Sequence, residues 1–406
     1  MRKGFLVITS ALAAAIVVSG LSVFVVGCQA RTTAPGTETA LQTAWGEPDL
    51  QGIWNAGTMT PLERPAKFAG RAVMTEEEAA ELLKAQNYGQ EEDQPRTKND
   101  ETDVAGAYNH AVFGNAMPAR FTRNRTSLIV DPSDGKIPPV TPEAQKRGAA
   151  MREYRDALLQ GTSVGRPGRP SPRRAELPPF YNEGQINRAD GPEDRSATER
   201  CLGQSLPQFG GYRRIVQAPG AVAIFYDLFQ GHGGERVIPV TTAPHLPENV
   251  RQGWGDPRGH WEGNTLVVDT TNFSPKSYFM GSRENLHLVE RFTRLDATTL
   301  EYTVTIEDPT VWTRPWTVKT ELTKEDDQPN RLYYEPRCHE GNFGLIGILA
   351  GGRAAEKAFA EGKGPNPTTT NTTSARNCHQ NEENKGVLAF VKQVCVESED
   401  PNPQFR

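Results

Sequence analysis

Motifs that mark several large enzyme classes are missing from this sequence. It has no Walker loop, no dinucleotide fingerprint and no His-Glu-x-x-His pair, so phosphate-transferring, nicotinamide-dependent and zincin-type chemistry have no support. Blocks of basic residues are also missing. Because 45 Lys and Arg residues stand against 50 Asp and Glu residues, the net charge is −5, which makes nucleic acid a poor partner.

Long apolar runs are scarce too, and only the run from Phe5 to Val26 is long enough to span a bilayer. Arg2 and Lys3 precede it, and a charged start before an apolar run is typical of an export signal. Its end, Val25-Val26-Gly27-Cys28, resembles the lipobox of bacterial lipoproteins, which implies a lipid anchor on Cys28. A plain transmembrane anchor and an ordinary cleaved signal are the alternatives. The residue after the cysteine is Gln29 and not Asp, which in a Gram-negative cell resembles sorting to the outer membrane rather than retention in the inner membrane. We therefore expect an exported protein in the cell envelope, at the outer membrane or the periplasmic face.

Cysteine is rare as well, with four residues left after Cys28 and no Cys-x-x-Cys pair. In an oxidising envelope compartment an even number predicts two disulfides. The pairing we favour is Cys201–Cys338 and Cys378–Cys395. The alternative is a zinc site at two Cys-His pairs, Cys338-His339 and Cys378-His379. Because the compartment favours disulfides, we expect no metal and no cofactor.

The chain contains 38 Gly and 31 Pro residues and is 36% hydrophobic, which indicates a loop-rich β domain. From Arg213 onward apolar residues recur at every second position, and seven or eight successive strands predict an antiparallel meander that forms a barrel or sandwich. Two or three peripheral helices are expected, after Thr75, after Thr141 and near 346–361. The predicted organisation is a signal peptide (1–27), a tether (28–46), one β-rich domain (47–361) with a helical insertion at about 75–160, and a low-complexity tail (362–406).

Two resemblances accompany this pattern. Gly52-x-Trp54 resembles the opening strand of lipocalin-type (calycin) barrels, in which the tryptophan closes the barrel floor, and this implies a calycin-like fold. Longer stretches resemble a family of uncharacterised exported bacterial (lipo)proteins, which implies export but brings no reaction or catalytic residue. They include Arg258-Gly-His-Trp-Glu-Gly-Asn-Thr-Leu-Val-Val268, Leu286-His-Leu-Val-Glu-Arg-Phe292 and Cys338-His-Glu-Gly-Asn342.

Gly263-Asn264 predicts a tight hairpin, because both residues tolerate the positive φ of a primed turn. The resulting register gathers polar side chains on one face of the sheet. They are Arg258, His260, Glu262, Thr265 and Asp269. The opposite face carries Trp261, Leu266 and Val268, and we expect it to face the core.

Aligning the apolar faces of the next two strands gives a second register. It places His287 opposite Glu307 on the polar face, beside Arg291. It also places Glu290 on the apolar face, where an ionised carboxylate is costly and its pKa rises. Arg294 lies on the same face of that strand, and a pair between Glu290 and Arg294 is the interpretation we favour.

The polar faces are either bathed in water, with Arg258–Asp269 an ordinary cross-strand ion pair, or they line a cavity. Three histidines beside carboxylates, on adjacent elements of the sheet, favour the cavity. In a cavity such pairs can act as general acids and bases. The candidate catalytic residues are His260, Glu262, His287 and Glu290. The candidate ligand-binding residues are Arg258, Asp269, Arg291, His339 and Trp254.

The leading hypothesis is a lipid-tethered envelope protein that binds a small aromatic or carbohydrate-derived molecule in the barrel cavity. Arginines suit a carboxylate or phenolate on such a ligand, and Trp254 could stack on its ring. The alternative is a metal-independent hydrolase or lyase that uses the same cavity, and a third hypothesis is a structural envelope protein without a ligand. The expected partners are a small molecule and, through the lipid on Cys28, a membrane.

Overall fold

A computed structural model describes residues 42–86, 120–158, 190–195, 206–227, 234–325 and 343–364, with a few further positions between 176 and 202 and position 366. These residues are mainly β. Ten antiparallel strands form one sheet that curls into a nearly closed barrel, and three α-helices accompany it. The predicted fold class, a mainly β chain whose antiparallel strands form a barrel or sandwich with two or three helices, is confirmed, and of the two architectures the structure shows the barrel.

The strands and helices follow one another along the chain in a simple order. The strands are β1 Gly52–Asn55, β2 Ile129–Asp131, β3 Tyr212–Ala218, β4 Ala221–Asp227, β5 Gly234–Pro239, β6 Asp256–Glu262, β7 Thr265–Thr271, β8 His287–Arg294, β9 Thr299–Glu307 and β10 Trp316–Lys324. The helices are α1 Glu76–Gln86, α2 Pro142–Leu158 and α3 Phe343–Ala360.

Around the barrel the strands follow the order β5-β4-β3-β1-β10-β9-β8-β7-β6. Two sequential meanders, β3 to β5 and β6 to β10, are therefore joined by the N-terminal strand β1, which pairs with β3 on one side and with β10 on the other. β2 pairs with Thr317 and Val318 at the start of β10, on the edge that β1 contacts at the end of the strand. The sequence predicts one continuous meander from Arg213 onward, whereas the structure divides these strands into two meanders with β1 between them.

The barrel closes where the end of β5 runs beside β6. Val240 forms a parallel bridge with Gly259, and the Thr241 N–H donates to the Gly259 carbonyl at 2.9 Å. A Cβ atom on Gly259 would lie 2.9 Å from Cγ2 of Ile238 and 3.3 Å from the carbonyl oxygen of Pro239. The two strands approach this closely because Gly259 has no side chain.

Both predicted hairpin registers are confirmed. Arg258 pairs with Asp269 across β6 and β7, and His287 pairs with Glu307 across β8 and β9. Gly263 in the first turn has a φ of 58°, as the primed turn requires. Along β8, fully buried and half-buried side chains alternate at every residue. One face of each strand therefore fills the barrel, and the other faces outward.

Side chains fill the interior of the barrel. Its largest rings, each less than 2% exposed, are Trp54, Trp316, Tyr226, Tyr302 and Phe292. Trp54 donates from Nε1 to the carbonyl of Leu50 at 2.8 Å, and the guanidinium of Arg294 lies 4.9 Å from its ring centre. A barrel of about this size holds either a packed core or one small ligand. In the described residues its interior is a continuous core.

The helix starts are set by side-chain caps, as predicted. The Thr75 N–H donates to the Glu78 carboxylate at 2.9 Å, and the Glu78 N–H donates back to the Thr75 hydroxyl at 3.2 Å, which begins α1. Before α2, the Thr141 hydroxyl accepts from the Ala144 N–H at 3.1 Å. Within the described ranges, no helix combines the length and the apolar character needed to cross a bilayer.

Several predicted features lie outside the described residues. They include the lipid anchor at Cys28, the ligand residue His339 and the disulfide between Cys378 and Cys395. Cys201 is the one cysteine within the described ranges, and it is disulfide-bonded. Because its partner lies outside those ranges, no complete disulfide is seen there, and the pairing with Cys338 stays a prediction.

Candidate functional site

Most of the predicted site residues lie on the outer surface of the barrel. Trp261, Leu266 and Val268 pack against or within the core, as predicted. The polar face of the same hairpin therefore points away from the interior, and its side chains do not line the inside of the barrel. They form two separate groups on the outer surface. Of the predicted site residues on β6, β7 and β8, Glu290 is the one whose side chain points inward.

The larger group is an outer network of alternating carboxylates and imidazoles, formed by Asp256, His245, Asp269, His287 and Glu307. The ring of His245 lies 3.0 Å from Asp256 through Nδ1 and 3.1 Å from Asp269 through Nε2. The ring of His287 lies 3.2 Å from Asp269 through Nε2 and 3.3 Å from Glu307 through Nδ1. The loop between β5 and β6 carries His245 into this network, and sequence reasoning missed that residue.

Each imidazole of the outer network uses both ring nitrogens on carboxylates. The hydrogen bond between His287 and Asp269 is the main cause that raises the pKa of His287 and lowers the pKa of Asp269. A protonated imidazole donates from both nitrogens, so it satisfies both neighbouring carboxylates. No ring nitrogen of His245 or His287 is then left to exchange a proton with a substrate.

The His287→Ala substitution is expected to destabilise the protein by about 1 kcal/mol in mildly acidic solution and by less as the pH rises. The pKa of folded His287 is raised above 6.5. Its stabilising contribution is therefore complete below about pH 6.5 and is lost as the pH rises through the raised pKa. Urea unfolding of both proteins between about pH 5 and pH 9 measures the difference. A difference that stays constant over this range contradicts the ion-pair assignment.

His260 belongs to a second group, which is separate from the outer network. Its Nε2 lies 3.2 Å from Glu262, which also accepts from Arg291 at 2.6 Å. The hydrogen bond from Arg291 is the main cause that lowers the pKa of Glu262. The side chain of His260 is 52% exposed. Across β7, His260 is aligned with Arg291, and His287 lies about 13 Å further along β8, so His260 and His287 do not share a site.

An ion pair between Arg258 and Asp269, the alternative expected of a solvated polar face, does not form. The two residues lie opposite each other, but Arg258 Nη1 donates to Asp256 at 2.7 Å, while Asp269 is occupied by the two histidines. Trp254, the predicted stacking residue, is half-buried with its ring 5.4 Å from that of Tyr226. Trp254 therefore packs against the core and belongs to neither polar group.

Glu290 is fully buried inside the barrel, as its register predicts. Its two carboxylate oxygens each lie 2.8 Å from a guanidinium nitrogen of Arg236, and the Tyr302 hydroxyl donates to it at 2.9 Å. The predicted pairing with Arg294 is wrong, because Arg294 donates to the carbonyl of Asp49 instead. Burial alone would lower the pKa of Arg236, but the attraction of Glu290 outweighs it and raises that pKa.

A pocket of about 610 Å³ lies on the flank of the barrel, between α2 and the connections that follow β7 and β9. We call it the flank pocket. The side chains that give it its character are Arg147, Met151, Arg152, Tyr278, Met280 and Arg283. Met151 is buried, whereas Tyr278 and Met280 are 36% and 42% exposed. The flank pocket therefore combines apolar surface with three arginines and with the acidic residues Glu284 and Asp308, and none of the predicted site residues lines it.

Asp308 fixes one rim of the flank pocket. It is buried, and one carboxylate oxygen accepts from the Ser282 hydroxyl at 2.5 Å. The other oxygen accepts from the N–H and the hydroxyl of Thr310, at 2.8 and 2.6 Å. Both oxygens are thus engaged, and they tie the β9–β10 connection to the β7–β8 connection. The Asp308 carboxylate therefore stabilises the fold, and it does not compete with an anionic ligand for the arginines of the flank pocket.

Two arginines of the flank pocket, Arg147 and Arg152, keep donors available. Arg147 donates to the carbonyl of Thr310 at 2.9 Å, which uses one of its five N–H groups. Arg283 is engaged within the fold, because its Nη1 donates to the carbonyl of Pro275 at 3.0 Å and its guanidinium lies 5.3 Å from the ring centre of Tyr278. Arg152 makes no hydrogen bond or ion pair within the described part of the chain. Positive charge with unused donors beside apolar surface suits an anionic group attached to a ring.

No protein-family model matches the chain. A search of the curated proteins finds no match either. The motif resemblance therefore stays an expectation, and the functional inference rests on geometry. Within the described residues, no group of three or more His, Cys, Asp or Glu side chains is arranged to hold a metal ion.

Sequence reasoning missed two kinds of site residue. Arg213 and Arg236 occupy interior positions of β3 and β5. Each lies on the same buried strand face as an isoleucine two residues further on, Ile215 or Ile238. The alternation of apolar residues along the strand identifies Glu290 as a charged residue on a buried face. The same alternation identifies Arg213 and Arg236 in the same way. Arg152 and the other flank-pocket arginines carry no such signal, because the pocket forms only when a helix packs against two irregular connections.

Proposed function

We propose that the protein binds a small anionic molecule that carries an aromatic or sugar ring, and that the flank pocket is its binding site. The observation that carries this proposal is a cavity of about 610 Å³ lined by three arginines and by the exposed side chains of Tyr278 and Met280. Small-molecule sites typically measure about 300–1,000 Å³ and pair apolar walls with a few polar groups. Because side chains fill the barrel interior, the flank is the place for such a ligand.

A carboxylate is the anion that best fits these side chains. A guanidinium group presents a planar fork of donors that binds a carboxylate through two parallel hydrogen bonds. Arg147 and Arg152 lie on α2, and Arg283 lies on the facing wall. Tyr278 offers a ring for stacking, and Met280 offers an adaptable apolar surface. Aromatic acids and uronic acids belong to this ligand class.

Binding is favoured over catalysis by the way the histidines are held. His245 and His287 use both ring nitrogens on carboxylates. His260 is exposed and pairs with Glu262. General acid–base catalysis needs a ring nitrogen within hydrogen-bond reach of the substrate. Among the described residues, nothing favours the hydrolase or lyase alternative over binding.

The protein is further proposed to work in the cell envelope, attached to a membrane by a lipid on Cys28. The support is the sequence itself, in which Arg2 and Lys3 precede an apolar run that ends in the lipobox-like Val25-Val26-Gly27-Cys28. Labelling of cells with a radioactive fatty acid is expected to mark the wild-type chain and not a Cys28→Ser variant. Equal labelling of the two chains would remove the lipid anchor from the proposal.

The Arg152→Gln substitution is expected to weaken binding of an aromatic or uronic acid about tenfold or more, because a hydrogen bond to a charged group is worth about 1.5–3 kcal/mol. The stability of the fold should be nearly unchanged, since Arg152 is exposed. Calorimetric titration with a panel of aromatic acids and uronic acids, each beside its neutral amide, measures the affinity. The amides should bind weakly to both proteins.

The matched control is Lys146→Gln, which removes a positive charge from an exposed position of the same helix that does not line the flank pocket. We expect the affinity of this variant to equal that of the wild type. If Arg152→Gln and Lys146→Gln weaken binding equally, the effect comes from net charge and the flank pocket is not the site. If no acid in the panel binds the wild type, the proposed ligand class is wrong.

A further inference from the structure

The barrel interior holds more positive than negative charge. Arg213 and Arg236 face inward and are 0% and 5% exposed, and Glu290 is 0% exposed. Arg236 and Glu290 neutralise each other through two contacts of 2.8 Å. Among the strand side chains that the structure describes, no second carboxylate faces the interior. Among these described strand residues, the charge of Arg213 therefore has no counter-charge.

The contacts of Arg213 compensate its charge only in part. Its guanidinium lies 4.3 Å from the ring centre of Tyr302 and 5.6 Å from that of Tyr226, and its Nη2 donates to the carbonyl of Gln208. Nε and Nη1 have no hydrogen-bond partner, although buried polar groups in folded proteins are nearly always bonded. The tyrosines supply no negative charge, because burial raises the pKa of both phenols.

A second buried donor lies near the same ring. Arg236 Nη2 donates to Glu290, and Nη1 lies 2.8 Å from the second carboxylate oxygen as an ion pair, but neither Nη1 nor Nε has a hydrogen-bond partner. Its guanidinium lies 5.7 Å from the ring centre of Tyr226, which is the ring that Arg213 also flanks. Two guanidinium groups with unused donors thus share one aromatic neighbour. A small anion beside Arg213 would accept from its unused donors and balance its charge, and one within reach of both groups would accept from Arg236 as well.

We propose that the barrel interior holds one small monovalent anion, of the size of formate, beside Arg213 and Arg236. The anion acts as a buried counter-ion that stabilises the folded barrel. This site is distinct from the flank pocket, and neither site depends on the other. The packed interior restricts the occupant to a few atoms, which sets it apart from the ring-bearing ligand of the flank pocket.

The test is the thermal unfolding of the full-length chain in detergent solution while formate replaces gluconate at constant ionic strength. Gluconate is too large for the interior, so only formate is expected to bind there. We expect the unfolding midpoint to rise saturably, by about 2–5 °C when formate reaches ten times its dissociation constant. Formamide, which has the shape of formate without its charge, should leave the midpoint unchanged. A midpoint that does not respond to formate, or that responds equally to formamide, overturns the proposal.

Two variants locate the effect. Arg213→Met is expected to abolish the response to formate, whereas Arg214→Gln is expected to keep it, because Arg214 is the next residue of β3 and is exposed on the outer face. An undiminished response in Arg213→Met overturns the proposal. If Arg213→Met does not fold, carbon-13 NMR of labelled formate with the wild-type chain decides. A distinct, saturable bound signal supports the site, and its absence overturns it.

Discussion

Replacing Glu290 by glutamine is expected to lower the free energy of unfolding by about 3–5 kcal/mol. Arg236 keeps its charge in the barrel interior but loses the carboxylate that two of its nitrogens contact at 2.8 Å. The Tyr302 hydroxyl loses its charged acceptor as well. An ion in a dry interior has no water to take the place of its partner, so most of the cost of burial is then uncompensated. Urea unfolding followed by tryptophan fluorescence measures the loss.

Two further variants distinguish the cost of leaving a buried charge unpaired from the cost of losing any ion pair. Glu301→Gln breaks an ion pair with Lys319 on the outer face of β9, where the two atoms lie 2.8 Å apart and Glu301 is 17% exposed. Its expected cost is at most about 1 kcal/mol, because water partly solvates both groups. The double variant Glu290→Leu/Arg236→Met replaces the buried pair by apolar groups and should recover most of the loss. Equal losses from Glu290→Gln and Glu301→Gln would contradict the importance of burial.

Gly259→Val is expected to destabilise the protein by about 2–3 kcal/mol, because the added atoms must enter a packed seam. Even a Cβ atom would lie 2.9 Å from Ile238 Cγ2 and 3.3 Å from the Pro239 carbonyl oxygen. We expect β5 to move away from β6 and the hydrogen bond from Thr241 N–H to the Gly259 carbonyl to break. Faster amide hydrogen exchange at Thr241, together with a lower urea midpoint, would show this.

Gly253→Ala is the control for this substitution. A Cβ atom at Gly253 would meet nothing within 4 Å, so we expect the free energy of unfolding to change by no more than about 0.5 kcal/mol. If Gly259→Val is tolerated as well as Gly253→Ala, the seam between β5 and β6 is not needed to close the barrel.

Local patterns determine the parts of the fold that the sequence predicts well. The Gly263-Asn264 turn and the alternating apolar residues of β6 to β9 set the strand pairing, because a shift by one residue would turn the whole apolar face outward. The pairing of His287 with Glu307 and the burial of Glu290 both follow from this rule, and the structure confirms them.

Contacts across the barrel do not follow from the same rule. Glu290 on β8 meets Arg236 on β5, and these strands are not neighbours in the sheet. The period-two pattern describes which face a residue occupies but not how far the sheet curls, so it cannot identify a partner on the opposite wall. Arg294 is nearer in sequence and shares the face, but it reaches the carbonyl of Asp49.

The candidate sites depend on irregular connections, which have no hydrophobic period to read. Asp269 and His287 are strand residues, and their placement on one polar face is predictable. Their neighbour His245 comes from the β5–β6 loop, and Tyr278 of the flank pocket comes from the β7–β8 connection. The sequence therefore indicates which strand faces are polar, whereas the tertiary packing of loops determines what gathers there.

The insertion of β1 between two meanders makes the sheet depend on contacts between residues that are far apart in the sequence. Asn55 of β1 donates to Glu325 at 2.9 Å across a separation of 270 residues, and the Leu50 N–H donates to Gln217 across 167 residues. Such distant contacts form slowly, because the entropy of a long chain loop opposes them until they are made. During synthesis β1 emerges first, and β10 follows only after most of the chain. The first strand of the barrel can therefore pair with β3 early, but it gains its second neighbour only after residues 316–324 have been synthesised.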